Sequence, residues 1–205
     1  GTDRGISVDG VANVTVENCL VSNFANGIVL IDATSSRVRF NEVTFSTADS
    51  SGAFLLARAD GNVLEENLAE RNAGRGFLLS DSTDNTLFDN LAIGNRFRGF
   101  GLTQDSLNNS LIRNAAIANL SAGYVVSAGS AGNVLLNNTS ARNDAEGFEM
   151  QSSGNSLNAN VALANGTWGF DESSRAPFNR YQNNYCENNG SGGPRPFPNL
   201  CAPQP

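Results

Sequence analysis

Residues 85–100 read NTLFDNLAIGNRFRGF, with Asn85, Asn90 and Asn95 five apart and Gly99-Phe100 closing the stretch. The same frame returns along the chain. NVLEENLAERN starts at Asn62, NSLIRNAAIAN at Asn109, NVLLNNTSARN at Asn133, NSLNANVALAN at Asn155 and NRYQNNYCENN at Asn179. Two looser copies come first, NVTVENCLVSN from Asn13 and RVRFNEVTFST from Arg37. The starts are separated by 24, 25, 23, 24, 24, 22 and 24 residues, and a fixed period overrides any reading of elements one at a time.

A second marker keeps phase with the first: Gly5-Ile6, Gly27-Ile28, Ala53-Phe54, Gly76-Phe77, Gly99-Phe100, Gly123-Tyr124, Gly147-Phe148 and Gly169-Phe170. After it the apolar residues alternate over short runs, as in Phe77 and Leu79 or Phe148 and Met150, and no run sustains a helical period. Short strands returning about every 24 residues, with too little sequence between them for a helical crossover, predict a parallel β-helix of about eight coils of 22–25 residues. Equivalent positions then stack roughly 4.8 Å apart. Asn67, Asn90, Asn114, Asn138, Asn160 and Asn184, with their partners five residues before and after, become ladders of stacked amides.

Composition narrows the function. With 205 residues and 40 % apolar content the chain supports one sizeable core, and no stretch approaches the roughly 20 apolar residues of a membrane span. A net charge of −7 disfavours nucleic acid and anionic membranes as partners. All thirteen basic residues are arginine, so the usual general base, the usual zinc or copper ligand and a Schiff-base lysine are all missing.

The repeat, over nearly the whole chain, resembles the right-handed parallel β-helix family of pectate-lyase-like enzymes. Carbohydrate-binding and sugar-hydrolysis domains and the periplasmic copper-maturation proteins of nitrous oxide reductase share it. The resemblance implies an all-β, single-stranded right-handed solenoid and points to polysaccharide; it is specific for fold and far less so for activity.

Stacking turns positions into columns. Ser7, Val29, Leu55, Leu78, Gly101, Val125, Glu149 and Asp171 are expected to face outward. Glu149 and Asp171 fall on neighbouring coils, with Glu146, Trp168 and Glu172 close in sequence; the carboxylates suit an acid–base pair or a weak calcium site, and Trp168 a sugar-stacking platform. The plainer reading is a solvated sheet end. Arg75 and Arg98 precede the marker on adjacent coils, with Arg96 beside them, and arginine forks suit carboxylates. In pectate-lyase-like enzymes an arginine serves as base, which makes Arg98 a catalytic candidate with Glu149 and Asp171. The competing expectation is that these arginines pair with Asp81, Asp89 or Asp105 at the turns. Val16, Phe40, Phe88, Ile112 and Leu136 are expected as an outward apolar stripe, a surface for self-association or for a covering N-terminal segment.

Residues 1–185 read as the β-helix and 186–205 as a capping tail in which Cys186 and Cys201 flank a Gly-, Pro- and Asn-rich stretch suited to a disulfide. Similar tails occur in secreted bacterial members of the family, which implies an extracellular or periplasmic location. Cys19 is left over, either a small buried residue or the partner of an upstream cysteine. Because the chain opens already in repeat phase, a longer protein or end-to-end stacking is expected. The sequons at Asn119 and Asn165 are by-products of an asparagine-rich repeat.

Three functions follow from these residues. A non-catalytic extracellular glycan-binding module asks least of the sequence; a lyase or hydrolase acting on an acidic polysaccharide is the alternative, with no cofactor beyond calcium; a structural or assembly rod is the third. Copper is disfavoured by the absence of histidine, with Met150 the only methionine.

Overall fold

The eleven-residue motif resolves into two three-residue strands with a corner before each and another after the second. In the computed structural model, which describes residues 3–172, 179–195 and 200–202, Thr86–Phe88 and Leu91–Ile93 are such strands. The corners set Asp84, Asp89 and Gly94 in the left-handed region, at φ 56°, 56° and 64°, immediately before Asn85, Asn90 and Asn95. That conformation costs an ordinary L-residue roughly 1–2 kcal/mol. The following asparagine compensates.

Asn90 Nδ2 donates to Leu64 O in the preceding coil at 2.9 Å and to Asn114 Oδ1 in the following coil at 2.9 Å, while Asn90 N donates to the same Oδ1 at 3.0 Å. Backbone groups that turn away from the strands are thereby satisfied inside the rod. The pattern repeats from Asn62 to Asn179, from Asn41 to Asn184 and from Asn72 to Asn189.

Three sheets result, one of nine strands and two of eight, with each strand pairing to its equivalent one coil away. We call them A (Arg4–Asp9 to Gly192–Arg195), B (Thr15–Glu17 to Arg180–Gln182) and C (Leu20–Ser22 to Tyr185–Glu187). All pairings are parallel, as in Phe77↔Phe100 and Leu87↔Leu111, and no helix occurs among the described residues. The fold is a right-handed parallel β-helix of about eight turns.

The core is built from columns. Phe54, Phe77, Phe100, Tyr124, Phe148 and Phe170 stack with centroids 4.7–4.9 Å apart and planes within 8°. Leu64, Leu87, Leu111, Leu135 and Leu157 come from sheet B and Ala69, Ala92, Ala116 and Ala162 from sheet C, all buried. Small residues on sheet C leave room where the chain re-enters sheet A. At Gly99 a Cβ would lie 2.7 Å from both Ala116 Cβ and Gly123 O, so the glycine of the marker is a packing requirement.

The first two coils differ from the expected register. Val16 pairs with Val38 and Val38 with Leu64, so the ladder positions there are Val14, Cys19 and Phe24, then Ser36, Asn41 and Ser46. Asn13, Asn18 and Asn23 are the corner residues, at φ 61°, 56° and 64°. Asparagine tolerates that region better than most residues, so five-residue spacing alone leaves the two roles indistinguishable. Cys19 thus occupies a ladder position, its amide donating to Asn41 Oδ1 at 3.0 Å.

The apolar stripe shrinks accordingly. Val16 is in the core and Phe40 is a corner residue; the column through Phe88 reads Glu17, Arg39, Glu65, Phe88, Ile112, Leu136, Asn158 and Gln182. Its N-terminal part is an ion-pair cluster, with Arg39 2.6 Å from Glu17 and Arg37 forked onto Glu65. Only Phe88, Ile112 and Leu136 remain of the stripe.

At the other end, Cys186 and Cys201 form a disulfide. Ala202 N donates to Asn184 O at 2.9 Å and Cys186 N to Ala202 O at 3.2 Å, and Leu200 is buried against the end of the core.

Candidate functional site: the outer face of sheet A

Register gathers most of the candidate residues onto one face. Leu78 pairs with Gly101, Gly101 with Val125, Val125 with Glu149 and Glu149 with Asp171, so the expected column exists in register, but its members Val29, Leu78, Val125 and Asp171 are buried rather than exposed. Beside it, at the corner where the chain enters sheet A, runs a second column. Gly76 N bonds to Arg98 O, Gly99 N to Ala122 O, Gly123 N to Glu146 O and Gly147 N to Trp168 O, which aligns Arg75, Arg98, Ala122, Glu146 and Trp168. Coils lie roughly 4.8 Å apart, so Arg98 and Glu146 are separated by about 10 Å along the axis.

Glu172 is not on this face. It pairs with Met150 at an inward position, is 3 % exposed and accepts from Asn179 Nδ2 at 3.2 Å. Burial raises its pKa above the ordinary carboxylate value, against the lowering effect of hydrogen bonding by Tyr181 and Asn179. Alternation places it there: Glu149 and Asp171 face outward, so the residue after Asp171 turns in.

The arginines do not pair as expected with Asp81, Asp89 or Asp105. Asp89 is bound by Arg113, Nη2 to Oδ2 at 2.6 Å, and Arg113 holds the Asp89 carboxyl below its ordinary pKa. Among the described residues Arg75, Arg96 and Arg98 make no ion pair, whereas Arg4, Arg37, Arg39, Arg58, Arg71 and Arg113 do. Arg75 and Arg98 instead lie over the ring of Phe97, with guanidinium carbons 4.6 and 4.9 Å from its centroid. Each has a buried Nε without a hydrogen-bond partner. Burial, and then repulsion by Arg98, lowers the pKa of Arg75, which nonetheless stays charged at neutral pH.

A groove opens beside Arg75 and Phe97. Asp49, Ser50, Ala73, Arg75, Arg96 and Phe97 line a space of about 480 Å³, and Ser50 and Arg75 continue into a second of about 330 Å³ with Leu78, Ser80, Thr103 and Gln104. Its wall is the segment 47–51, anchored by Thr47 N on Phe24 O and Ala48 N on Ala25 O. Gly74 lets that wall pack, since a Cβ there would meet Ser51 O at 2.3 Å and Ala48 O at 2.5 Å. Arg75 is held across the groove by Nη1 donating to Ser50 O at 2.6 Å.

Three to four coils further on the face is acidic. Glu149 and Asp171 are register neighbours, Gln151 Nε2 donates to Glu149, and Glu146 lies in the corner column. No group of three or more His, Cys, Asp or Glu able to hold a metal occurs among the described residues. Phe97 and Ser50 escape the sequence reading because neither is chemically conspicuous; the signal for Phe97 was its place between Arg96 and Arg98 in a stretch that breaks the repeat. Asn119 and Asn165, each in a sequon, are ladder members at 0 % and 1 % exposure.

Fold and face together define a right-handed parallel β-helix with a charged outer face on sheet A. The family model of the periplasmic copper-binding protein (NosD) matches residues 1–127, and the chain belongs to that family. Among solved structures it is similar to the periplasmic alginate epimerase AlgG, at 20 % identity and a TM-score of 0.74, over 89 % of this chain and 47 % of that one. Pectate lyase Pel9A follows at 15 % and 0.58, over 82 % and 59 %, and the mannuronan C-5 epimerase AlgE4 A-module of Azotobacter vinelandii at 15 % and 0.57, over 88 % and 71 %. The chain thus spans about half the length of AlgG. At these identities the likeness is one of fold. No curated protein matches the chain.

The family name carries copper, but the donors here do not fit it. The chain has no histidine, Met150 is fully buried in the core, Cys186 and Cys201 are joined, and the Cys19 thiol donates to Glu17 O. No copper chemistry follows from these residues. The disulfide fits an oxidising compartment outside the cytoplasm.

Proposed function

We propose that the chain is a glycan-binding β-helix of an extracytoplasmic protein, holding an acidic polysaccharide against the outer face of sheet A without cleaving it. The observation that carries this reading is the pair Arg75 and Arg98, partly buried on Phe97 beside a groove that Arg75 and Phe97 line, and without a carboxylate partner among the described residues. Desolvated cations lacking a counter-ion are costly, and an acidic ligand offsets that cost. Trp168 and Glu146, in the same column, would contact a chain laid along the rod.

Binding rather than cleavage is favoured by separation. Arg98 and the Glu149/Asp171 pair are two to three coils apart, roughly 10–15 Å, too far for one proton transfer. A panel of neutral, carboxylated and sulfated polysaccharides, scored for retention and for cleavage with and without calcium, tests this. Retention of acidic members without product supports it; cleavage, or retention of none, overturns it.

A further inference from the structure

The charge on sheet A is polarised, and that limits which acidic glycan fits. Arg75 and Arg96 line the groove, Arg98 lies over the ring of Phe97 beside it, and Asp49 is the one carboxylate among the described lining residues. About 10 Å along the axis the same face carries Glu146 and Glu149, which have no ion pair among the described residues. Between them lie Gly101, Ala122 and Val125, buried and uncharged. A polymer with an anion on every sugar would satisfy the arginines and then meet like charge.

We propose that Arg75, Phe97 and Arg98 form a subsite for one anionic substituent, a carboxylate or a sulfate ester, and that Glu146 and Glu149 select against glycans whose charge continues unbroken. The inference rests on the glycan-binding reading above and specifies its ligand. Arg75 is pre-oriented by Ser50 O, so little side-chain freedom is lost when an anion arrives. Gly101 leaves the space beside it open: a Cβ at Gly101 would sit 3.3 Å from Arg75 Cδ and 3.5 Å from Arg75 Nε. The buried Nε atoms leave both guanidinium groups short of hydration, a deficit that an anion at their remaining N–H groups reduces.

Titration calorimetry separates the claims. The probes are a trisaccharide bearing one glucuronate, its carboxyl-reduced neutral counterpart, a counterpart with one sulfate ester, and oligoguluronates of increasing length. The mono-anionic probes should bind at least tenfold more tightly than the neutral one. Arg75→Gln and Arg98→Gln should each lose roughly tenfold to a hundredfold, the range of a charge-assisted hydrogen bond, with the neutral probe unaffected. Whichever of the carboxylate and sulfate probes binds better identifies the source of the anion. Affinity for oligoguluronates should stop rising with length in the wild type and keep rising in Glu146→Gln/Glu149→Gln. Equal binding of neutral and anionic probes, indifference to both arginine variants, or a steady rise with length in the wild type overturns the subsite while leaving glycan binding intact. Binding of no probe overturns the glycan reading itself. Arg98→Lys, which keeps charge but loses the fork, controls for folding and should retain only part of the affinity.

Discussion

Arg75 and Arg98, on adjacent coils, share the ring of Phe97, so two like charges are held at one aromatic ring. Burial first, and then repulsion by Arg98, lowers the pKa of Arg75. Salt should therefore stabilise this region. Raising ionic strength from low to about 0.5 M, where the Debye length falls below roughly 5 Å, should raise the Tm of the wild type more than that of Arg98→Gln, by up to about 2 °C on the usual scale for a chain of this size. Equal salt responses would show that the arginines do not interact.

Asn137 and Asn138 are adjacent and have different jobs. Asn137 turns a corner at φ 56°, whereas Asn138 Nδ2 donates to Leu111 O and Asn160 Oδ1 and its Oδ1 accepts from Asn114 N and Nδ2. Asn138→Ala strands Leu111 O and Asn114 N inside the rod, a loss of about 2–4 kcal/mol. Asn137→Gly suits the left-handed corner and should change stability by less than about 1 kcal/mol. Urea unfolding of the two variants checks the contrast.

That contrast also shows what the sequence made legible. Markers in phase at Gly76-Phe77, Gly99-Phe100 and Gly147-Phe148 were enough to define the coil and its inward columns, because a period-2 strand leaves no choice once one core residue is placed. They were not enough to fix the register at Asn13, since corner and ladder both accept asparagine with the same spacing. The columns brought Arg75, Arg98, Glu146, Glu149, Asp171 and Trp168 to one face, but Glu172 turned inward by simple alternation. Phe97 and the 47–51 wall were illegible: their role comes from contacts between coils, which no single repeat encodes.

Glu172 carries a pH signature. Its pKa is raised in the folded state, first of all by burial. The folded state therefore holds the proton more tightly, so the stabilising contribution is complete below the ordinary carboxylate value near 4.5 and is lost as pH rises through the raised value. Glu172→Gln should match the wild type near pH 4 and be more stable at pH 7. Melting curves across that range check the sign; a variant less stable than wild type at pH 7 would refute it.

The Cys186–Cys201 bridge closes a 15-residue separation, and a loop of that size contributes about 3 kcal/mol in the chain-entropy account. Reduction should free the 200–202 segment from Asn184 and Cys186 and speed amide exchange at Cys186 and Ala202, while the ladder around Asn114 stays protected. Exchange rates before and after reduction decide it.

The most direct test of the central claim is hydrogen exchange on the protein alone and saturated with the tightest-binding acidic oligosaccharide. Our account predicts slowed exchange at residues 48–52, 73–78 and 96–104, around Arg75 and Phe97, with Val134–Leu136 of sheet B and Thr139–Ala141 of sheet C unchanged. Protection confined to sheets B and C, or none around the two arginines, would contradict it.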